Sequence, residues 1–310
     1  MNTADLKQIA ENMIFMIFAM ACAPLIPGIV NRVKAFFAGR KGPPLLQPYY
    51  DIFKLMNKGS VYSRTTSWIF KVAPMISLSA VFCALILVPC PGGGRAPISF
   101  YGDIIFFAYL LSLARFLTVL AALDTGSSFE GMGASREVWF SALAEPAFFA
   151  ALAACVSLTG AFSFGDIFSG MSGIMNGNLP VIILVLLSIF IVLLVENCRV
   201  PADDPNTHLE LTMIHEVMVL DYSGPDLGII LYASYLKLFL FCSIIAGLVL
   251  PSFAGNSLSA YVSSFCVIVI LSVVVGTVES IMARFRFAKV SRMLIAAFAL
   301  SMLAIILTFR

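Results

Sequence analysis

Ionisable side chains that interrupt long apolar stretches are the residues of this sequence best placed to do chemistry. Arg115, Glu145, Lys237 and Glu279 each stand inside such a stretch. A charge inside a lipid bilayer is costly, and those that occur usually serve the movement of ions or substrates. Buried carboxylates can bind and release protons, and nearby cations can pair with them. Two interpretations stay open: a proton relay, or pairs such as Arg115 with Glu145 and Lys237 with a carboxylate that only fix helix packing.

Most of these charges are expected at a similar depth. Counted from the predicted helix ends at about 1.5 Å per residue, Arg115, Glu145 and Lys237 lie roughly 12 Å below the cytoplasmic surface. The outer halves of the apolar stretches hold few ionisable residues, so we predict a charged cavity that opens toward the cytoplasm. An ion would then leave laterally through a neighbouring subunit. The residues predicted to act in ion translocation and coupling are Arg115, Glu137, Glu145, Glu196, Arg199, Asp203, Glu210, Glu216, Lys237 and Glu279.

A polar segment over residues 198–228 contains both histidines of the chain, His208 and His215. Their spacing of seven residues would place them on one face of a helix, which we predict over about 208–220. Histidine changes its charge near neutral pH, so both are candidate proton carriers. A solvated helix without such a role explains the same pattern. The spacing differs from the HExxH arrangement of zinc enzymes, and no metal site is predicted.

The elements that must hold these charges follow from composition. Hydrophobic residues make up 60% of the chain and charged residues only 12%, with a mean hydropathy of +0.99. A soluble domain carries roughly 25% charged residues, whereas these apolar blocks are long enough to cross a bilayer. We therefore predict an all-α membrane protein, a bundle of about eight transmembrane helices forming one domain over residues 1–310. The blocks are 12–30, 69–90, 103–123, 138–160, 179–197, 229–250, 262–282 and 288–308.

The distribution of Lys and Arg predicts the orientation. Most of them lie in the loops that follow the odd-numbered blocks, which places those loops in the cytoplasm and both termini outside. Segments 31–68 and 198–228 are then long cytoplasmic loops of a multi-pass protein of the cell membrane. Within the first of them, apolar and charged residues over 47–58 predict a short amphipathic helix lying on the membrane or on a partner.

Several kinds of chemistry find no support in the sequence. Seven cysteines are scattered without a CxxC pair, so we expect this chain to bind no iron–sulfur cluster or zinc of its own. It contains no nucleophile triad and no phosphate-binding Walker motif, and we predict no catalytic residue. A role in nucleic-acid binding rests on nothing beyond the basic loop, which membrane orientation already explains.

Motifs spread along nearly the whole chain carry a resemblance to one family. In the first cytoplasmic loop they are Gly39–Pro44, Leu46–Pro48 and Asp51–Leu55. Farther along the chain they are Leu123–Ser127, Gly133–Glu137 and Glu145–Pro146. The loop motifs resemble the complex I subunit 1 family, and the later motifs resemble its branch in membrane-bound energy-converting hydrogenases, the formate hydrogenlyase subunit 4-like proteins. Family matches also occur at Glu196, Arg199, Pro201 and Asp203, at Asp221–Gly224, and at Glu279 with Met282–Arg284.

The resemblance implies a subunit that anchors a soluble electron-transfer arm to a membrane arm. A nickel–iron centre and iron–sulfur clusters would then belong to partner subunits, namely the large and small hydrogenase subunits and an iron–sulfur subunit. Antiporter-like membrane subunits would be further partners and would carry H⁺ or Na⁺ across the lipid bilayer. The residues expected to dock the soluble arm are Arg40, Lys41, Gln47, Asp51 and Lys54.

Two alternatives remain beside the hydrogenase subunit. The first is the quinone-site subunit of a complex I-type enzyme, whose third cytoplasmic loop is acidic where this chain has residues 204–208. This chain also has more residues between Glu210 and Asp221, and Asp221 replaces the usual glutamate. These three departures favour the hydrogenase branch. The second alternative is a stand-alone secondary transporter. The sequence argues against it, because it shows no internal repeat and no pair of broken helices at the membrane midplane.

Overall fold

The computed structural model describes residues 3–91, 96–174, 177–203, 214–250 and 257–309, and in these ranges it is built from helices. The first six helices are α1 Thr3–Cys22, α2 Leu25–Phe37, α3 Gln47–Met56, α4 Trp68–Leu87, α5 Asp103–Asp124 and α6 Ser128–Thr159. The next six are α7 Phe164–Ile174, α8 Leu179–Glu196, α9 His215–Met218, α10 Gly224–Val249, α11 Ser257–Ile281 and α12 Phe287–Thr308.

Within the described ranges, seven helices are long and apolar enough to cross a membrane: α4, α5, α6, α8, α10, α11 and α12. The helices α1 and α2 form an eighth crossing if they count as one, because they meet at a bend of 42°. Pro24 lies at that bend, and a proline removes a backbone donor and interrupts a helix. The predicted all-α bundle of about eight transmembrane helices is confirmed, and the protein is a multi-pass membrane protein.

Two boundaries differ from the sequence prediction. The α6 helix begins at Ser128, whereas the apolar block begins at 138, so about three helical turns precede the apolar stretch. Polar residues in those turns hid them from a prediction based on hydropathy. Of the helix predicted over about 208–220, the described part contains only α9, which ends at Met218; residues 204–213 lie outside the described ranges.

The helix α7 had no counterpart in the prediction, because glycines and polar residues weaken its apolar pattern. Its start is fixed by Asp103 at the beginning of α5, which accepts hydrogen bonds from the Ser163 hydroxyl (2.7 Å) and the Phe164 N–H (3.0 Å). Gly247 of α10 leaves room for the Phe168 ring, which a Cβ at that position would meet at 2.1 Å. Asp103 thus acts as a helix cap on this side of the bundle.

Of the seven long apolar helices in the described ranges, α10 is the most buried, and it packs against α2, α3, α4, α8 and α11. Of its apolar window 61% is buried, against 28% for both α11 and α12. Helices α8 and α12 are joined by a hydroxyl pair, with Ser188 Oγ 2.6 Å from Ser301 Oγ. Such pairs help membrane helices associate, because no water is available to either hydroxyl. Lys237 of α10 lies near residues of α5, α6 and α8.

The two long loops meet on the opposite side of the bundle. The predicted helix over 47–58 is present as α3, and α10 approaches it closely, since a Cβ on Gly228 would lie 3.4 Å from Leu55 Cβ. The Val61 N–H donates to Ser223 Oγ at 3.0 Å, and the Tyr62 hydroxyl donates to Asp226 at 2.7 Å. These hydrogen bonds therefore couple movement of one loop to movement of the other.

Candidate functional site

Five of the predicted residues form one cluster between α5, α6, α8 and α10, which we call the carboxylate-rich cluster: Arg115, Glu137, Glu145, Glu196 and Lys237. Arg115 lies at its centre and contacts all three carboxylates. Its Nη1 lies 2.7 Å from Glu145, its Nε lies 3.4 Å from Glu137, and its Nη2 hydrogen-bonds Glu196. The Lys237 ammonium lies 2.8 Å from the Glu196 carboxylate. Three carboxylates thus share two cations.

The helix ends explain why these side chains converge. Glu196 is the last residue of α8, where backbone carbonyls lack partners within the helix. The Lys237 ammonium donates to the Glu196 carbonyl oxygen as well as to its carboxylate, both at 2.8 Å. A cation is favourable at that helix end because of the helix dipole. The Ser112 hydroxyl donates to Glu145 at 2.8 Å, which holds the carboxylate most exposed in the cluster.

A second group, the cation-rich cluster, consists of Lys34, Arg199, Asp203, Glu279 and Arg284. The Glu279 side chain is fully buried and lies 3.0 Å from Lys34 and 3.5 Å from Arg199. Arg284 lies 2.6 Å from Asp203. Helices α2 and α11 approach closely at Gly276, where a Cβ would meet Val33 at 2.9 Å. That contact brings the neighbouring residues Lys34 and Glu279 together.

The short helix α9 is fixed between the two clusters. The Asp203 carboxylate accepts the Ile214 N–H at 2.9 Å and the His215 N–H at 3.3 Å, which caps the start of α9. On its other side α9 packs directly on α6, because a Cβ on Gly133 would meet Val217 at 2.7 Å. Burial lowers the pKa of His215, so its imidazole is neutral at pH 7.

Two cavities adjoin at α9. The smaller one, of about 80 Å³, is lined by Arg115, Glu137, Glu196 and Lys237 of the carboxylate-rich cluster. It is large enough to hold water. The larger one, the loop chamber, has about 410 Å³ and is lined by residues of α2, α9 and α10 together with Arg199 and Asp203. The residues common to both linings are Asn197, Cys198, His215, Ile230 and Ser234.

The remaining predicted residues lie apart from these clusters. Glu216 lines the loop chamber. Arg40, Lys41 and Lys54 are exposed on the first loop and α3, while Gln47 donates to Asp51 at 2.8 Å within α3. His208 and Glu210 lie outside the described residues. Among the residues that the structure does describe, no group of three or more His, Cys, Asp or Glu is placed to hold a metal ion.

Sequence reasoning did not select Lys34 or Arg284 as site residues. Both belong to basic segments that the orientation rule had already explained, and neither interrupts an apolar block. Arg284 did stand inside a family-like motif, which was the available signal. Lys34 offered none, because its pairing with Glu279 depends on the contact between α2 and α11.

Comparison with known proteins is consistent with this architecture. The chain is 29% identical over 293 residues to formate hydrogenlyase subunit 4 of Escherichia coli, covering 92% of this chain and 94% of that protein. It is 29% identical over 302 residues to hydrogenase-4 component C of the same organism, covering 93% and 94%. A chain in the solved structure of the membrane-bound sulfane sulfur reductase, an archaeal respiratory membrane complex, has the same fold, with a TM-score of 0.84 at 20% identity and coverage of 96% and 98%.

The model of a known membrane-protein family matches nearly the entire length of the sequence, from the first helix to the last. The match runs over residues 10–309 and includes both charge clusters and both loops. The chain therefore belongs to the NADH dehydrogenase family, the family of complex I subunit 1.

Proposed function

We propose that this chain is the membrane anchor and ion-translocation coupling subunit of an energy-converting nickel–iron hydrogenase complex. The observation that carries the proposal is the carboxylate-rich cluster, in which Arg115 is shared by Glu137, Glu145 and Glu196 inside a membrane bundle. Similarity over nine-tenths of the length to two hydrogenase-complex subunits supports the choice of complex. The nickel–iron centre and the iron–sulfur clusters would belong to the soluble partners.

The shared cation makes the cluster responsive to small displacements. A proton gained by one carboxylate weakens its attraction to Arg115 and leaves the cation to the other two. Electrostatic interactions are strong in a medium of low dielectric constant, so such an exchange can move side chains and protons. The loop that begins after Glu196 reaches the loop chamber. There a redox event in the soluble arm would change the position or charge of the loop. The resulting charge shift would drive H⁺ or Na⁺ through antiporter-like neighbours.

Docking of the soluble arm is assigned to the first loop and α3. Arg40, Lys41 and Lys54 are exposed there, and Phe53 of α3 is 72% exposed. Arginine and aromatic residues are enriched at protein interfaces, which fits Arg40 and Phe53. Because this loop contacts the start of α10 through Tyr62 and Asp226, docking can be transmitted to the helix that holds Lys237.

The proposal is tested by purifying the complex through a tag on this chain and reconstituting it in liposomes. We expect nickel and iron to co-purify, and hydrogen evolution from reduced methyl viologen to drive ion translocation. Glu145→Gln and Glu279→Gln keep side-chain size and remove ionisation, so each should lower translocation while hydrogen evolution continues. Translocation that survives both substitutions contradicts the coupling role. A protein that purifies alone and transports a solute supports the transporter alternative.

The loop chamber favours a second candidate, the quinone-site subunit of a complex I-type enzyme. Its volume of about 410 Å³ falls in the range of small-molecule sites, roughly 300–1,000 Å³. Tyr235 and Arg199 supply polar groups among apolar side chains of α10. A purified complex that reduces a soluble ubiquinone analogue, and loses that activity when Tyr235→Phe is introduced, would support this candidate over the hydrogenase.

A further inference from the structure

Among the residues that the structure describes, the wall between the two cavities contains few groups that can exchange a proton. Of the five residues common to both linings, Asn197, Ile230 and Ser234 do not titrate near neutral pH. Burial raises the pKa of the Cys198 thiol well above its usual range, so it stays protonated. The fifth residue is His215, whose imidazole has one nitrogen that accepts a proton and one that donates it.

The backbone at His215 is held firmly, and the residue lines both cavities. Asp203 accepts the backbone N–H of His215 at 3.3 Å and is itself held by Arg284 at 2.6 Å. Gly133 of α6 marks how closely α9 is packed, because a Cβ there would already lie 3.0 Å from the Ile214 carbonyl oxygen. A titratable residue that has a fixed backbone and lines two cavities is suited to pass a proton from one to the other.

Charged groups lie near His215 on each element packed around it. Glu137 of α6 and Asp203 of the preceding loop favour the imidazolium, while Lys237 of α10 opposes it. Arg115 of α5 and Glu196 of α8 line the same small cavity, and Glu216 of α9 lines the loop chamber. Glu196 is held by two cations, whereas Glu137 has the longest contact of the cluster, at 3.4 Å from Arg115. Glu137 is therefore the carboxylate that Arg115 holds least closely, and it lines the same small cavity as His215.

We propose that His215 is the gate through which protons pass from the loop chamber to the carboxylate-rich cluster. Its imidazole takes a proton from water in the loop chamber and becomes imidazolium. It then gives a proton to the carboxylate of Glu137, which becomes a carboxylic acid, and the imidazole is restored. This inference rests on the proposed coupling function and names the residue at which protons reach it.

The test measures hydrogen evolution and proton translocation separately in proteoliposomes containing the assembled complex, with reduced methyl viologen as the electron donor. His215→Gln keeps a hydrogen-bond donor and acceptor but cannot carry a proton. We expect proton translocation to fall about 100-fold or more, the typical contribution of a positioned proton carrier, while hydrogen evolution persists. Lys289→Gln is the matched control, since it also replaces a titratable side chain by glutamine on the loop side and lines neither cavity.

The outcomes separate this inference from the coupling function. Proton translocation that persists in His215→Gln contradicts the gate alone. A wild-type complex that evolves hydrogen without moving protons contradicts the coupling function and the gate together. Because His215→Gln could impair assembly, His215→Ala is assayed with added imidazole, which the loop chamber can accommodate. Recovery of translocation supports the gate, and assembled His215→Ala complex that imidazole does not rescue contradicts it.

Discussion

The two charge clusters differ in how their buried charges are shared. In the carboxylate-rich cluster one cation, Arg115, contacts three carboxylates on two helices. In the cation-rich cluster one buried carboxylate, Glu279, contacts two cations, Lys34 and Arg199. Loss of the shared group leaves several charges without compensation, whereas loss of a duplicated group leaves one partner in place. We therefore expect the first cluster to be destabilised most by loss of its cation, Arg115, and the second by loss of its carboxylate, Glu279.

The largest expected effect is that of Arg115→Met. Glu137 and Glu145 then lose the cation that contacts them, whereas Glu196 keeps Lys237 at 2.8 Å. Removal of the partner of a buried carboxylate such as Glu137 costs about 3–5 kcal/mol. We expect a marked loss of assembled complex and a lower midpoint of thermal unfolding for what remains. The matched change in the other cluster is Arg199→Met, after which Lys34 still lies 3.0 Å from Glu279. Equal losses of stability for the two variants would refute the difference in sharing.

The connection between the clusters is probed by Gly133→Ala. The added Cβ would meet Val217 Cγ1 at 2.7 Å and the Ile214 carbonyl oxygen at 3.0 Å, so α9 must move away from α6. Overpacking of this kind typically costs about 1–3 kcal/mol. We expect lower thermal stability together with reduced ion translocation.

Gly131→Ala is the control for that substitution, two residues earlier in the same helix. No atom lies within 4 Å of a Cβ at Gly131, and alanine is a better helix former. We expect unchanged translocation and a stability equal to or about 0.5–1 kcal/mol above that of the wild type. Similar behaviour of the two alanine variants would mean that α9 does not depend on its contact with α6.

The pH dependence of stability reports on the charge state of His215 between the clusters. Burial lowers its pKa, so the folded protein prefers the neutral ring. This contribution to stability is fully present above the ordinary histidine pKa of about 6.5 and is lost as the pH falls below it. We expect His215→Gln to reduce the fall in unfolding temperature between about pH 7 and pH 5. An identical fall in both proteins would show that His215 is not buried as a neutral group.

The smallest effect is expected for Tyr62→Phe. This change removes the hydrogen bond between the two loops, in which the Tyr62 hydroxyl lies 2.7 Å from Asp226 Oδ2. A typical hydrogen bond contributes about 1 kcal/mol, and this one is exposed, so the loss of stability should be less. If the loops act together on the two clusters, translocation should fall while hydrogen evolution stays constant. Hydrogen–deuterium exchange at residues 57–67 would show whether the loop has loosened.

Much of the fold was predictable because its causes are local in sequence. An apolar block long enough to cross a bilayer has to be a helix, since every backbone group needs a partner inside the lipid. A charge inside an apolar block is also recognised from the local sequence alone. The pair of Arg115 with Glu145 was among those considered from the sequence. The α7 helix and the early start of α6 escaped because glycines and polar residues weaken their apolar pattern. The start of α7 depends in addition on the contact of Asp103 with Ser163, which a local pattern does not contain.

Composition and hydropathy are sufficient to identify a helical membrane protein with ionisable residues inside its spans. Which of those residues share a partner depends on how the helices pack. Arg115 and Glu196 are 81 residues apart, and Lys34 meets Glu279 only because Gly276 lets two helices approach. The position of His215 between two cavities likewise arises from Asp203, α6 and α10 together. The local sequence shows which ionisable residues lie inside the membrane helices. Which of them pair depends on contacts between helices that are far apart in the sequence.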